Sequence, residues 1–239
     1  MDDAVRRIVT PVLERIDGVL GPGYVALVYG SAARDEFRSG VSDVNLLLVC
    51  EELTPATLRR LSQALAGLEA ERQPPPLLIE RAEWASATDV FPIEVTDMQI
   101  AHELLRGGDP VAGLTVDPGD LRRELEGEFR AKLLRLRQAY ALVGTDPKAM
   151  GLVAARTVAS VAALFRVSLA LYGRVAPRET AAALSAASEA MGIPTGILAT
   201  LWNRRTADGP ACTAPEFEEY LSAVAAAVRV TDTFSPGGH

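Results

Sequence analysis

The first half of the chain alternates between helical and strand-type patterns of apolar residues. Residues 4–20 repeat apolar positions at helical spacing, with Pro11 inside the repeat, and a Gly-Pro-Gly segment ends it. Two short apolar runs of strand type follow, YVALVYG ending at Gly30 and DVNLLLVC ending at Cys50. The second run is almost wholly apolar after its first residues, which is typical of a strand buried on both faces.

Four further segments lie before the middle of the chain. Residues 54–71 form a predicted helix, with Thr54 as its N-cap and a proline at the first helical position. Three prolines then exclude a helix, and PLLIE at 76–80 is a brief predicted strand. We predict another strand in FPIEVTDM at 91–98, and IAHELL at 100–105 flanks a helix or a strand.

The second half carries only helical patterns. Asp120 is the predicted cap of a long amphipathic segment that reaches Leu142, and an Ala-rich segment follows from Asp146 to Tyr172. Further helical segments begin near Pro177, Pro194 and Pro215. Short connections between such helices are typical of a bundle.

Composition and charge narrow the function. Of the 239 residues 49% are hydrophobic but only 5% aromatic, so the core must be largely aliphatic. The formal net charge of −7 argues against general binding of nucleic-acid backbones, which requires clustered Lys and Arg. A single nucleotide remains a suitable ligand, because a local site can oppose the global charge.

Cysteine usage and the N-terminal segment indicate a cytoplasmic protein. Cys50 and Cys212 are the only cysteines, which is too few for a disulfide framework or a CxxC metal site. The charged start MDDAVRRIVT lacks the apolar core of a signal peptide, and we expect no apolar stretch of the ~20 residues that span a membrane.

The two strand-type runs frame a set of groups suited to phosphate chemistry. A glycine such as Gly30 at the end of a strand lets the backbone approach a phosphate closely, and Ser31 opens a short helical segment whose free N–H groups favour anions. Asp43 and Asn45, two residues apart, share one face of the predicted second strand. Two-metal phosphoryl transfer needs oxygen ligands clustered in this manner.

A further carboxylate is expected from a neighbouring strand, and Glu94 is the candidate. In a regular strand Asp97 would lie on the opposite face unless a bulge intervenes, so we interpret Asp97 as structural. A buried carboxylate in the apolar context FPIEV is costly without a partner, which favours a functional role. Glu94 is therefore the expected general base.

The segment YGSAARDEFRSGVSDVNLLLV resembles the signature of the DNA polymerase β-like nucleotidyltransferase superfamily, Gly-Ser followed after a spacer by acid-x-acid. FPIEVTD is similar to the third-carboxylate strand of the bacterial aminoglycoside nucleotidyltransferase branch, in which a Glu in an E-V-T setting acts as base. The resemblance implies an α+β fold, with a small mixed β-sheet nucleotidyltransferase domain followed by an all-helical bundle domain. We expect a nucleotide-binding domain at 1–118, a helical domain at 119–234 and a disordered tail at 235–239.

The resemblance implies transfer of a nucleoside monophosphate from ATP, or another nucleoside triphosphate, to a hydroxyl of a small molecule, with two Mg²⁺ ions. The acidic chain agrees with a cationic acceptor such as an aminoglycoside. Neither general nucleic-acid binding nor membrane binding is expected, and a homodimer is compatible with the sequence. The expected catalytic residues are Asp43 and Glu94, the metal ligands Asp43, Asn45 and Glu94, and the nucleotide contacts Gly30, Ser31 and Arg34.

One departure from the signature keeps a second function open. Asn45 stands where the pattern has a carboxylate, and an amide oxygen can bind Mg²⁺ but brings no negative charge. Altering even the groups around a metal ligand typically costs ~10–100-fold in metal affinity. The alternative is therefore a catalytically impaired nucleotide-binding or interaction protein on the same fold.

Basic residues between 122 and 137 leave a smaller question open. They alternate with acidic ones, which favours a solvated helix face with i,i+4 pairs such as Glu126 with Arg130. The alternative is that Arg130 or Arg137 reaches a triphosphate.

Overall fold

The computed structural model describes residues 1–235, so residues 236–239 of the predicted tail lie outside the described residues. The chain divides into two compact units, Met1–Thr115 and a second unit that begins at Val116. The first unit contains, in chain order, α1 (Asp3–Leu20), β1 (Val25–Tyr29), β2 (Asn45–Cys50), α2 (Pro55–Ala70), β3 (Leu77–Glu80), α3 (Arg81–Trp84), α4 (Pro92–Ile100) and β4 (His102–Arg106).

The four strands form one mixed sheet in the order β3-β2-β1-β4, as the resemblance implies. β1 is antiparallel to both β2 and β4, whereas β2 and β3 run parallel. In this register Tyr29, the last residue of β1, lies opposite Asn45 on one side and His102 on the other. The end of β1 and the beginnings of β2 and β4 therefore meet at one edge of the sheet.

One face of the sheet packs against α1 and α2. Alternate strand positions, Ala26 and Val28 in β1 and Leu46 and Leu48 in β2, join the apolar faces of these helices in one core. The intervening Leu47 is fully buried as well. The prediction that this strand is covered on both faces is thereby confirmed, and the core is aliphatic as the composition indicates.

The prediction of a strand in FPIEVTDM was wrong, because residues 92–100 form the helix α4. Pro92 occupies the first turn, where a missing N–H costs nothing, and the Val95 N–H donates to the carbonyl oxygen of Phe91 at 3.0 Å. The buried positions Pro92, Val95 and Met98 recur every three residues, which is helical spacing. The segment is so short that its apolar residues fit this spacing as well as the alternation of a strand. The fourth strand begins instead at His102.

The second unit is helical throughout its described part. It contains α5 (Pro118–Val143), α6 (Pro147–Ser168), α7 (Thr180–Met191), α8 (Gly196–Arg204) and α9 (Ala214–Thr233). No strand occurs between 116 and 235, which confirms the all-helical second half. The cap of α5 is Asp117 rather than Asp120, because the carboxylate of Asp117 accepts the N–H groups of residues 119 and 120.

The charged face of α5 forms the predicted i,i+4 ion pairs. The Glu126 carboxylate accepts from Arg130 at 2.6 Å and from Arg122 at 3.1 Å. The bond from Arg130 is the main reason that the pKa of Glu126 is lowered. Arg130 is therefore occupied within its own helix.

Residues 147–172 contain a stretch of 18 residues that is long and apolar enough to cross a membrane by length and composition, with a mean hydropathy of 1.6. The expectation that no stretch reaches this length was therefore wrong. More than half of the stretch is buried inside the described bundle, where Phe165 packs edge-to-face on Phe129 with ring centroids 5.2 Å apart. This is the environment of a bundle core helix.

A polar cluster connects the end of α1 to the edge strand β4. The Asp17 carboxylate accepts from Arg106 Nε at 3.1 Å, from Arg106 Nη2 at 2.9 Å and from the Tyr24 hydroxyl at 2.6 Å. The Arg106 guanidinium is the main cause that lowers the pKa of Asp17 from its ordinary value of 3.8. The charged form of Asp17 is therefore favoured in the folded protein.

Replacing Asp17 by Asn should make stability less dependent on pH in the acid range. The pKa of Asp17 is lower in the folded protein than its ordinary value of 3.8. The contribution of Asp17 to the free energy of unfolding is therefore fully present above pH 3.8 and is lost as the pH falls through the pKa of the folded state. We expect Asp17→Asn to lower the free energy of unfolding by about 0.5–1 kcal/mol at neutral pH, the scale of a partly exposed pair. Urea unfolding between pH 7 and pH 3 should show the two proteins converging at low pH. Asp89→Asn, at an exposed position, is the control; a constant difference at every pH would contradict the assignment.

Candidate functional site

The chain leaves β1 through a tight turn at Gly30. This residue has a φ of +74°, a left-handed conformation that favours glycine. Residues Gly30–Ala33 form one 3-10 turn, and the N–H groups of Arg34 and Glu36 both donate to the Ser31 carbonyl oxygen, at 3.2 and 3.1 Å. The helical segment expected at Ser31 is thus a single turn, which carries much less of the dipole that favours anions than a long helix does.

Asn45 lies directly against this turn. A Cβ atom added at Gly30 would lie 2.7 Å from Asn45 Nδ2, closer than two such atoms can approach. Glycine is favoured at position 30 by the backbone conformation, and any larger residue there would also have to displace the end of the Asn45 side chain. The structure brings two of the expected site residues, one in the turn after β1 and one at the start of β2, into direct proximity.

Asp43 lies outside the strand to which it was assigned. β2 begins at Asn45, and Asp43 is an exposed residue of the preceding loop. The backbone next to it is anchored by Gln73, whose Oε1 accepts the Val44 N–H at 2.7 Å. Strand alternation therefore does not place the side chains of Asp43 and Asn45 on one face, because only Asn45 belongs to β2. Gln73, which sequence reasoning missed, thus holds the backbone between Asp43 and the start of β2.

Glu94 projects from α4 rather than from a strand, and this changes its neighbour. Residues three apart lie on the same side of a helix, so Asp97 accompanies Glu94 instead of opposing it. Burial, followed by the negative charges of Glu94 and Asp97, raises the pKa of Tyr29 to about 12. Both carboxylates therefore lie near Tyr29 at the end of β1. Tyr29 pairs with Asn45, the first residue of β2.

Arg34 is engaged with carboxylates of its own unit. Its Nη1 donates to Asp97 Oδ1 at 3.0 Å, and its Nε lies 3.6 Å from Glu36 Oε2. Only 6% of the Arg34 side chain is exposed. Asp97 and Glu36 were not among the expected site residues. The helical spacing of the apolar residues 92, 95 and 98 was the available signal, because in a helix Asp97 lies on the same side as Glu94.

Metal binding by protein groups alone is weakly supported. Among residues 1–235 no group of three or more His, Cys, Asp or Glu side chains is placed to hold a metal ion. Mg²⁺ typically binds one or two carboxylates together with substrate phosphates. The donor set of two carboxylates and the Asn45 amide thus suits a Mg²⁺ ion that is bound jointly with a nucleotide.

Replacing Gly30 by Ala tests the contact with Asn45. A non-glycine residue with positive φ costs about 1–3 kcal/mol, and Gly30→Ala must in addition displace the Asn45 side chain. Gly40→Ala is the matched control, because Gly40 has a φ of +77° and nothing within 4 Å of an added Cβ. We expect Gly30→Ala to lower the free energy of unfolding more than Gly40→Ala does. When Asn45 is also replaced by Ala, Gly30→Ala and Gly40→Ala should lower the free energy of unfolding equally. A difference that persists in this background would refute the contact between position 30 and the Asn45 side chain.

Comparison with known proteins gives a match at the level of fold. No protein-family model and no curated protein matches the sequence. Among solved structures, spectinomycin adenyltransferase AAD(9) from Enterococcus faecialis, determined with ATP and spectinomycin, matches with a TM-score of 0.58 at 12% identity. The match covers 95% of this chain and 99% of that one. The chain therefore shares the α+β fold of that adenyltransferase, a small mixed sheet with flanking helices followed along the chain by a helical unit.

Proposed function

We propose that the protein is a nucleotidyltransferase. It transfers a nucleoside monophosphate from ATP, or from another nucleoside triphosphate, to a hydroxyl of a small molecule. The observation that carries the proposal is the edge of the sheet at the end of β1. There the glycine turn, Asn45 and the helix bearing Glu94 come together. The shared fold with an adenyltransferase solved with ATP supports the choice of nucleotide.

Each residue of this edge has a proposed role. The backbone of Gly30 and the hydroxyl of Ser31 bind the β- and γ-phosphates, and Asp43, Asn45 and Glu94 would hold Mg²⁺. The metal would supply charge neutralisation at the phosphates during transfer. Glu94 accepts the proton of the attacking hydroxyl, for which it must lie within hydrogen-bond reach of that group.

The charge of the first unit supports a cationic acceptor. Residues 1–115 contain ten Lys and Arg against 18 Asp and Glu, whereas residues 116–239 are nearly balanced, with 14 against 13. The excess negative charge of the chain thus lies in the unit that contains the proposed site. Such a field concentrates cations and opposes a bare triphosphate. This favours a nucleotide that binds with Mg²⁺ and an aminoglycoside-like acceptor.

A second candidate function is nucleotide binding without transfer. Asn45 favours it, because an amide in place of a carboxylate reduces the negative charge available to bind a metal. The two functions differ in one measurable step, the release of pyrophosphate.

Removing the Ser31 hydroxyl tests the phosphate contact. We expect Ser31→Ala to weaken ATP binding by about 1.5 kcal/mol, roughly tenfold, the lower end of the range for one hydrogen bond to a charged group. Isothermal titration calorimetry measures the change. Ser39→Ala, an exposed serine of the following loop, is the control and should leave the affinity unaltered. Equal affinities of wild type and Ser31→Ala for ATP would show that the phosphates do not bind at this turn.

Restoring a carboxylate at position 45 separates the enzyme from the binding protein. Asn45→Asp adds the negative charge that the nucleotidyltransferase pattern has there, so affinity for Mg²⁺ or Mn²⁺ should rise about tenfold or more, and transfer should appear or increase. Metal titration and pyrophosphate release from ATP across a panel of hydroxyl acceptors are measured for both forms. Asn203→Asp makes the same chemical change on the exposed face of α8 and should alter neither.

The outcomes of this experiment are distinct. Tighter metal binding with pyrophosphate release supports the transferase. Tighter metal binding without release, whichever acceptor is present, indicates a nucleotide-binding protein. Unchanged metal affinity would eliminate the proposed site, because a carboxylate beside Asp43 and Glu94 cannot leave a shared metal unaffected.

A further inference from the structure

Arg34 connects two parts of the site that are far apart in the sequence. Its backbone closes the glycine turn, where the Arg34 N–H donates to the Ser31 carbonyl oxygen at 3.2 Å. Its guanidinium reaches α4, 63 positions further along the chain, and donates to Asp97 Oδ1 at 3.0 Å. Glu36 provides a second carboxylate at 3.6 Å from Arg34 Nε.

The surroundings of this guanidinium make it unsuitable as a ligand for phosphate. The side chains of Arg34, Asp97 and Glu36 are 6%, 13% and 14% exposed. Turning Arg34 towards a triphosphate would remove the cation that pairs with the largely buried Asp97 carboxylate, and an uncompensated buried charge is strongly destabilising. The guanidinium therefore stays with the protein carboxylates.

The helix that receives this ion pair depends on such contacts for its position. α4 has nine residues, and helices of that length are marginal without tertiary packing. Asp97 follows Glu94 by one turn on the same side of the helix, so a bond that holds Asp97 also determines the direction of Glu94. A carboxylate that must meet a reacting hydroxyl is sensitive to this placement, since a displacement of about 1 Å can cost ~10²-fold in rate.

We infer that Arg34 is a positioning residue, which acts through Asp97 to hold the Glu94 side of α4 against the glycine turn and does not bind the nucleotide. The inference rests on the proposed function for the role of Glu94. It replaces the sequence-based assignment of Arg34 to the phosphates. It also gives Asp97, interpreted from the sequence as structural, a defined part in the site.

The test uses Arg34→Gln and Asp97→Asn in the full-length protein, alone and together. Each single variant should lower kcat for pyrophosphate release by up to ~10²-fold while the Kd for ATP stays as in wild type. The double variant should be no slower than the slower single variant, because residues that act as one pair do not contribute additively. Steady-state kinetics and ATP calorimetry on the same preparations measure both quantities.

The second ion pair of the unit is the matched control. Asp17→Asn combined with Arg106→Gln removes a salt bridge that holds α1 to β4. It should lower the Tm without changing kcat, which separates loss of stability from loss of positioning. Should Arg34→Gln fail to fold, Arg34→Lys keeps the charge and loses the forked geometry, and it should retain part of the kcat.

Two results would overturn the inference. In the first, Arg34→Gln weakens ATP binding while Asp97→Asn leaves it unchanged or tightens it, which would make Arg34 a phosphate ligand. In the second, both single variants keep the kcat of the wild type, which would leave the ion pair without influence on the reaction.

Failure of the proposed function would be recognised separately, as a wild-type protein that releases no pyrophosphate, whether or not it binds ATP. Hydrogen exchange of the α4 amides then tests the structural part of the inference. Loss of protection in α4 and in the glycine turn in both single variants, but not in the Asp17/Arg106 control, supports positioning by Arg34. Unchanged protection in α4 would overturn it.

Discussion

The register of β1 is the constraint on which the rest of the first unit depends. β1 is the strand hydrogen-bonded to β2 on one side and to β4 on the other, both antiparallel. Its last residue, Tyr29, must therefore lie beside the first residues of both neighbours. A shift of the register by one residue would turn every side chain of β1 to the opposite face. Ala26 and Val28 belong to the core formed with α1 and α2, whereas Val25 and Leu27 are buried outside that cluster, so a shift would exchange the side chains that fill two different packed environments.

The electrostatics of the site follow from this geometry. Glu94 and Asp97 are brought to an apolar strand end, where their charges act on Tyr29 with little screening by water. Arg34 compensates part of this negative charge from within the protein. The remaining negative character is the property on which the proposed binding of a metal-bound nucleotide and a cationic acceptor depends.

The second unit is stabilised by a different balance of interactions. Three of its helices begin at side-chain caps, with Asp117 before α5, Asp146 before α6 and a Thr213–Glu216 capping box at α9. Its interior is apolar, apart from groups such as Arg166, which is 1% exposed and donates to the Thr180 hydroxyl at the start of α7. A buried charge of this kind must be satisfied by hydrogen bonds, since its desolvation is costly.

The sequence by itself determined the elements with local signals: the glycine at the end of β1, the Thr54 cap and the proline that start α2, the apolar β2 and the helical second half. These follow from backbone sterics and from the period of apolar residues, which act within a few positions. Only the tertiary structure decided the conformation of residues 92–100, because the segment is short enough to satisfy both a strand and a helix period. That decision placed Asp97 beside Glu94 and gave Arg34 its partner. The contacts of Arg34 with Asp97 and of Gly30 with Asn45 join residues distant in the chain, and no local pattern encodes which distant side chain will fill a given space.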